Sequence, residues 1–296
     1  MERRSCPPPS EDVSPLYSDL VRHTAPRGVP ERYGRTALVA GASEGIGAAF
    51  ARTLARRGFD LVLVARRREP LTSFARSLGT DHRADVLPVP LDLGAPDAAE
   101  RLWRSCDGRE IGLLVYNAAA AALGPFLERP LEDHVAAIDV NVRAPLALAH
   151  RFGRSMASRG RGGIVLMSSL SGFQGTPLVA TYAATKAFDL VLAEGLWDEL
   201  RGRGVDVLAC CAGATSTPGY ERSAPAGRAS RFAPRVQRPE EVAEAALRAL
   251  GRRPSVVCGP GNALASIVMR RLLSRRSAVL LMGREMRSRY GARDSG

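Results

Sequence analysis

Seven short apolar runs, each followed by a helical stretch, constrain this chain more than any other feature. They occupy residues 36–40, 61–64, 86–91, 111–116, 163–167, 205–210 and 255–258. Runs that are apolar nearly throughout are buried on both faces, and the helices between them let successive strands run parallel. The pattern predicts an α/β fold. It is a doubly wound, Rossmann-type parallel sheet of about seven strands with helices on both faces, forming a single domain. Helices are expected over 48–57, 68–78, 98–105, 131–158, 181–200 and 240–250. Pro145 bends or interrupts the fourth of these, and Gly58 is placed to cap the first.

Three segments follow. Residues 1–34 are proline-rich with balanced charge and read as a flexible extension, with a short helical turn around 16–21. Residues 35–260 hold the strand–helix alternation, and 261–296 form a basic helical tail. Five cysteines without a CxxC pair exclude a zinc ribbon and a disulfide framework, and their odd number fits a reducing compartment. Four scattered histidines give no metal site. No apolar stretch follows Arg3 and Arg4, and the longest uncharged run, 162–185, is half Gly, Ser, Thr, Pro or Gln. The expectation is a cytoplasmic protein without a secretory leader or a membrane span.

The net charge is +12. From Gly251 onward ten arginines face Glu285 and Asp294, a local balance of ten minus two, or +8. A basic amphipathic helix can lie on an anionic membrane, but Arg270, Arg271, Arg275 and Arg276 do not share one side of a helix. The tail therefore reads as helices packed on the body or on a partner subunit, with weak membrane-surface contact as the alternative. Nucleic-acid binding is not expected, because no aromatic platform interleaves with the basic residues.

The turn Gly41-Ala42-Ser43-Glu44-Gly45-Ile46-Gly47 follows a strand and opens a helix. Glycines allow a sharp turn and close backbone approach to a phosphate, and a helix N-terminus offers unpaired N–H groups. The context predicts a dinucleotide site. An NAD site usually carries an acid about 20 residues on, to hold the ribose 2′-hydroxyl. Here Ala65-Arg66-Arg67-Arg68 stand at that place, which suits the 2′-phosphate of NADP(H) over NAD(H). Glu44 is the objection, since a carboxylate in the turn repels a phosphate.

With these residues in hand, the chain resembles the short-chain dehydrogenase/reductase family from about Arg35 to Pro260. The TGxxxGIG pattern is matched from Ala40 to Gly47, and the acid after the third strand by Asp92, followed by Leu93. The NNAG segment is matched by Tyr116-Asn117-Ala118-Ala119, and the mid-helix asparagine by Asn141. The serine is matched by Ser169, and YxxxK by Tyr182 to Lys186. The loop threonines are matched by Thr215 and Thr217 after Gly213. Ala40, Ala119 and Ala212 depart from the pattern without removing a catalytic side chain. Of 42 basic residues only Lys186 is a lysine, and it falls in YxxxK.

The resemblance implies an oxidoreductase that moves a hydride between nicotinamide and a carbonyl or secondary alcohol. Tyr182 is then the general acid or base. A phenol ordinarily holds its proton to about pH ~10, and a fixed ammonium one helical turn away favours the phenolate. Lys186 also serves the nicotinamide ribose, Ser169 polarises the substrate oxygen, and Asn141 holds a water that links Lys186 to solvent. On its own, Asn141 reads as a structural residue at a helix irregularity. The implied dinucleotide contacts are Gly41, Ser43, Glu44, Gly45, Ile46, Gly47, Arg66, Arg67, Asp92, Leu93, Asn117, Ala118, Ala119, Tyr182, Lys186, Gly213, Thr215 and Thr217.

A loop from Ala214 to Arg238, with Pro218, Pro225 and Pro234, is expected to be a mobile substrate lid. Leu123, Phe126, Phe173 and Leu178 suggest an apolar wall, hence an uncharged, moderately large ketone, aldehyde or alcohol. The resemblance further implies a homodimer or homotetramer through the YxxxK helix, with Phe188, Leu192 and Trp197 on its contact surface. Two other readings stand beside this one: a catalytically silent dinucleotide-binding scaffold or regulator, and a membrane-surface reductase of a lipid.

Overall fold

The structure is a computed structural model that describes residues 29–222, apart from Asp107, and 235–290. The expected turn at 16–21, and Pro225 and Pro234 of the expected lid, lie outside the described residues. Strands β1 (Thr36–Ala40), β2 (Asp60–Ala65), β3 (Val86–Pro90), β4 (Ile111–Tyr116), β5 (Gly162–Ser169), β6 (Val205–Ala212) and β7 (Ser255–Val257) form one sheet. Their order is β3-β2-β1-β4-β5-β6-β7, and every pair is parallel.

The helices are α1 (Val29–Tyr33), α2 (Gly45–Arg56), α3 (Arg68–His82), α4 (Ala98–Ser105), α5 (Leu131–Ile138), α6 (Ala144–Arg159), α7 (Ala180–Arg201), α8 (Pro218–Arg222), α9 (Pro239–Ala249), α10 (Pro260–Ile267) and α11 (Arg275–Tyr290). Two cores follow from the period of two along each strand. Ala37 and Val39 of β1 face one side, where Phe50, Leu54, Leu71, Val242 and Ala246 pack. Leu38 and Ala40 face the other, with Leu102, Leu148, Phe152, Leu190 and Ala193. Burial on both faces is why the strands show no polar alternation.

Strand order reverses between β1 and β4, which opens a crevice at the carboxyl ends of these strands. The long helix expected from 131 to 158 is two helices, joined by a π-turn over Asp139–Arg143 just ahead of Pro145. The loop expected from 214 to 238 contains α8.

Residues 29–34, placed in the extension by sequence, include α1 and dock on the body. Tyr33 is buried and its hydroxyl donates to Asp206 Oδ2 at 2.9 Å. Gly112 admits this contact, because a Cβ there would lie 1.8 Å from the Tyr33 carbonyl oxygen.

The tail folds back on the body. Arg270 lies over the Phe173 ring at 4.6 Å, and Arg275 donates to the Phe173 carbonyl at 2.9 Å. Among the described residues no helix is long and apolar enough to cross a membrane. Leu192 and Trp197 of α7 pack on the second core of their own chain, so most of their apolar surface is spent within the subunit.

Candidate active site

The glycine turn is built by backbone crowding. Gly41 has φ +78, and a Cβ on it would meet the Ala118 backbone at 2.7 Å. A Cβ on Gly47 would lie 1.9 Å from the Gly41 carbonyl oxygen. The Asn117 side chain donates to that same oxygen at 3.1 Å, tying the turn to the end of β4. No side chain caps the start of α2, so its first N–H groups remain available to an anion.

A cleft of about 330 Å³ lies over this turn. Gly41, Ser43, Glu44, Gly45, Ile46, Arg66, Asp92, Leu93, Asn117, Ala118, Ala119 and Thr217 line it. Ala65, Leu91, Ala120, Val140 and Gly219 line it too and were missed by sequence reasoning. Leu91 was within reach, because it ends the third apolar run beside Asp92. The donor set fits a dinucleotide: an uncapped helix start, a tight glycine turn, and an arginine rather than an acid beyond β2.

The other expected contacts do not line the cleft. Gly47 packs the start of α2 on the turn. Arg67 donates to Glu44 Oε2 at 2.7 Å, and Arg222 of α8 reaches the same carboxylate. The Arg222 hydrogen bond, followed by the charges of Arg222 and Arg67, holds the Glu44 carboxyl below its usual range. The carboxylate that sequence counted against a phosphate is thus neutralised by two guanidinium groups. Gly213 and Thr215 stand at the start of the loop expected as a lid and do not line the cleft. Thr215 is buried and donates to the Gly213 carbonyl at 3.0 Å, and its strand-like partner is Gln237.

The catalytic candidates converge at the end of β5 and the start of α7. Ser169 ends β5, where its Oγ accepts from the Ser171 amide at 3.2 Å. Gly172 brings this segment against α7, since a Cβ there would be 2.8 Å from the Lys186 carbonyl carbon. Ser168 donates to the Lys186 carbonyl at 2.7 Å. One turn after Tyr182, the Lys186 ammonium lies 5.8 Å from the Tyr182 ring centroid. It donates to the Met167 carbonyl at 2.7 Å and to Asp189 Oδ2 at 2.9 Å.

Asn141 sits in the π-turn and is fully buried. Its Oδ1 accepts from the Ala120 amide at 2.8 Å, and its Nδ2 donates to the Ala120 carbonyl at 2.7 Å and to Thr185 Oγ1 at 3.0 Å. It therefore ties the cleft-lining segment after β4 to the helix that carries Tyr182. The two stretches expected to wall the substrate also meet, because the Gly124 amide donates to the Leu178 carbonyl at 2.9 Å. Leu178 holds φ +64 to make that contact, an uncommon conformation for a side chain of its size.

Asp189 went unremarked in the sequence, although an acid three residues after the lone lysine was a readable signal. Burial pushes its carboxyl up, and the charge and hydrogen bond of Lys186 pull it back.

This combination of sheet, crevice and side chains matches a known family. The short chain dehydrogenase model matches residues 35–226, and the chain belongs to that family of oxidoreductases, which act on hydroxyl and keto groups and bind NAD(P). Among its relatives, a 7beta-hydroxysteroid dehydrogenase of Collinsella aerofaciens is 34% identical over 233 residues, covering 78% of this chain and 89% of the relative. A solved 7beta-hydroxysteroid dehydrogenase superposes with TM-score 0.81 at 31% identity, covering 86% of this chain and 99% of that one. A short-chain dehydrogenase from Sphingobium yanoikuyae in complex with NADPH gives TM-score 0.68 at 34% identity, covering 76% and 87%. A bulky-bulky ketone specific alcohol dehydrogenase from Comamonas testosteroni gives 0.66 at 31%, covering 76% and 85%.

Proposed function

We propose that the protein is an NADP(H)-dependent reductase or dehydrogenase of an apolar ketone, aldehyde or secondary alcohol, with Tyr182 as its general acid and base. The observation that supports this is that Tyr182 and Lys186 stand one turn apart on α7, and that Asn141 ties this helix through Thr185 to Ala120 of the cleft. When bound, the nicotinamide supplies or accepts the hydride. Tyr182 gives a proton to the substrate oxygen in reduction and takes it back in oxidation. Lys186 sets its charge one turn from Tyr182 and serves the nicotinamide ribose. Ser169 donates to the substrate oxygen as charge develops there. Asn141 holds the π-turn against α7, where it can keep a water in line with Lys186.

For the cofactor, Arg66 in the cleft and the neutralised Glu44 support NADP(H) over NAD(H). The glycine turn, Asp92, Leu93, Asn117, Ala118, Ala119 and Thr217 are the residues that would hold it. For the substrate, Phe173 and Leu178 stand on the loop that leads from Ser169 to Tyr182, and two of the relatives above are named for a hydroxysteroid and for bulky-bulky ketones. The tail, with Arg270 and Arg275 engaged at Phe173, supports a role in backing that wall rather than in membrane contact.

A fluorescence titration of the purified protein with NADPH and, separately, NADH tests the reading. Tighter binding of NADPH is expected. Preference for NADH overturns the 2′-phosphate argument, and binding of neither overturns the enzyme reading.

A further inference from the structure

We infer that Asp189 is a positioning residue of the tyrosine–lysine pair: its buried carboxylate holds the Lys186 ammonium charged and in place beside Tyr182. The inference rests on the roles proposed above for Tyr182 and Lys186, and adds a residue to them.

The geometry is that of a closed pair. Asp189 follows Lys186 by three residues on α7, so the two side chains share one face of the helix. Their charged atoms are 2.9 Å apart, and the side chains are 3% and 1% exposed. The Met167 carbonyl of β5 supplies a second fixed acceptor at 2.7 Å. Asp189 Oδ1, by contrast, is buried and has no hydrogen-bond partner among the described residues. Leu190, Ala193, Leu166 and Tyr116 belong to the core around this seam. The titratable groups facing Asp189 among the described residues are Lys186 on its own helix and Tyr116 from β4. The Tyr116 hydroxyl donates to the Val140 carbonyl, and burial, then Asp189 and Asp92, keep it neutral.

Such a pair is a poor device for stability. Removing two charges from water is offset only when every remaining lone pair is also satisfied, and apolar residues of similar volume usually serve a core as well or better. The unpartnered oxygen makes this pair worse than average on that count. Its value is chemical. A lysine buried without a counter-charge sheds its proton, and a neutral amine carries no charge beside Tyr182 and keeps no third proton for a ribose once Met167 and Asp189 have taken two. Arginine keeps its charge anywhere, but its planar fork does not offer a compact ammonium. A chain that uses arginine at 41 of 42 basic positions keeps one lysine, and buries a carboxylate against it. Asp189 gives that lysine the fixed charge that arginine would have by nature.

The single lysine makes the test direct. Selective 15N and 13C labelling of lysine in the full chain yields one side-chain signal, whose shift reports whether Lys186 is an ammonium or an amine. The intact protein is expected to show an ammonium near pH ~7. In Asp189→Asn the pH at which the signal converts to the amine is expected to fall by about one pH unit or more, roughly tenfold in proton affinity. A folded Asp189→Asn protein whose lysine converts at the parental pH overturns the proposal. So does a parental lysine that already reads as a neutral amine near pH ~7, a result that needs no variant and covers one that fails to fold. Neither readout depends on turnover. An absence of NADP(H) activity in the parent would therefore count against the proposed function and leave this result standing.

Discussion

The two sides of the crevice are built from different materials. On the dinucleotide side the chain works with backbone: Gly41, Gly45 and Gly47 leave no room for a Cβ, and an uncapped helix start offers its N–H groups. On the catalytic side it works with buried side chains: Asn141, Lys186 and Asp189 are held by partners on other strands and turns or one turn along a helix. The contrast teaches where each side is fragile. A backbone cradle fails when atoms are added, whereas a side-chain network fails when they are removed.

The largest effect is expected on the side-chain half. Tyr182→Phe deletes one oxygen and should lower turnover by about 10²–10⁴-fold, the usual range for a lost acid or base, while NADPH still binds. Steady-state rates beside a fluorescence titration check this, and normal turnover in the variant would sink the assignment. Next comes an addition on the backbone half. Gly41→Val forces a β-branched residue into φ +78 against Ala118, where strain is about 1–3 kcal/mol. Dinucleotide affinity should fall by about tenfold or more with a lower thermal midpoint. If Gly41→Val binds NADPH as the parent does, the cradle is misread.

Arg66→Ala sharpens the comparison, since it removes a side chain from the backbone-built half. A hydrogen bond to a charged group contributes about 1.5–3 kcal/mol, so NADPH affinity should fall by roughly 10–100-fold with NADH affinity nearly unchanged. Equal losses for both would show that Arg66 does not read the 2′-phosphate. The smallest effect is expected at Glu44, whose exposed guanidinium partners leave it screened. Its carboxyl is held below the ordinary 4.5. The pairing therefore stabilises the fold above that value, and the gain is lost as pH falls through the depressed folded value. Glu44→Gln should flatten the acid limb of a thermal-midpoint profile slightly and leave the neutral region alone.

The same contrast explains what the sequence disclosed. Gly41, Gly45 and Gly47 were legible because backbone constraints impose a fixed spacing on neighbouring residues. The sheet was legible because burial on both faces leaves the strand interiors largely apolar, with polar residues such as Asp60, Asp206 and Ser169 at or near strand ends. The break before Pro145 was legible as well, and so was a helix irregularity at Asn141; that it is a π-turn was not. Pairings that cross the fold were hidden. Nothing local says that Glu44 meets Arg67 and Arg222, 23 and 178 residues away. Asp189 left a local hint in its spacing from Lys186, but it faces inward only because its helix packs on β5 and β6. Residues 29–34 looked like a tail because Tyr33 finds its partner, Asp206, on the far side of the sequence.

The central claim is hydride transfer from NADPH to a carbonyl carbon, and isotope transfer tests it most directly. The purified protein is incubated with NADPH carrying deuterium at the transferable C4 position and a bulky apolar ketone, and the product alcohol is examined by mass spectrometry. The account predicts one deuterium on the carbinol carbon in the parent and none above background in Tyr182→Phe. A panel of such ketones that yields no labelled alcohol, from a protein that binds NADPH, would contradict it.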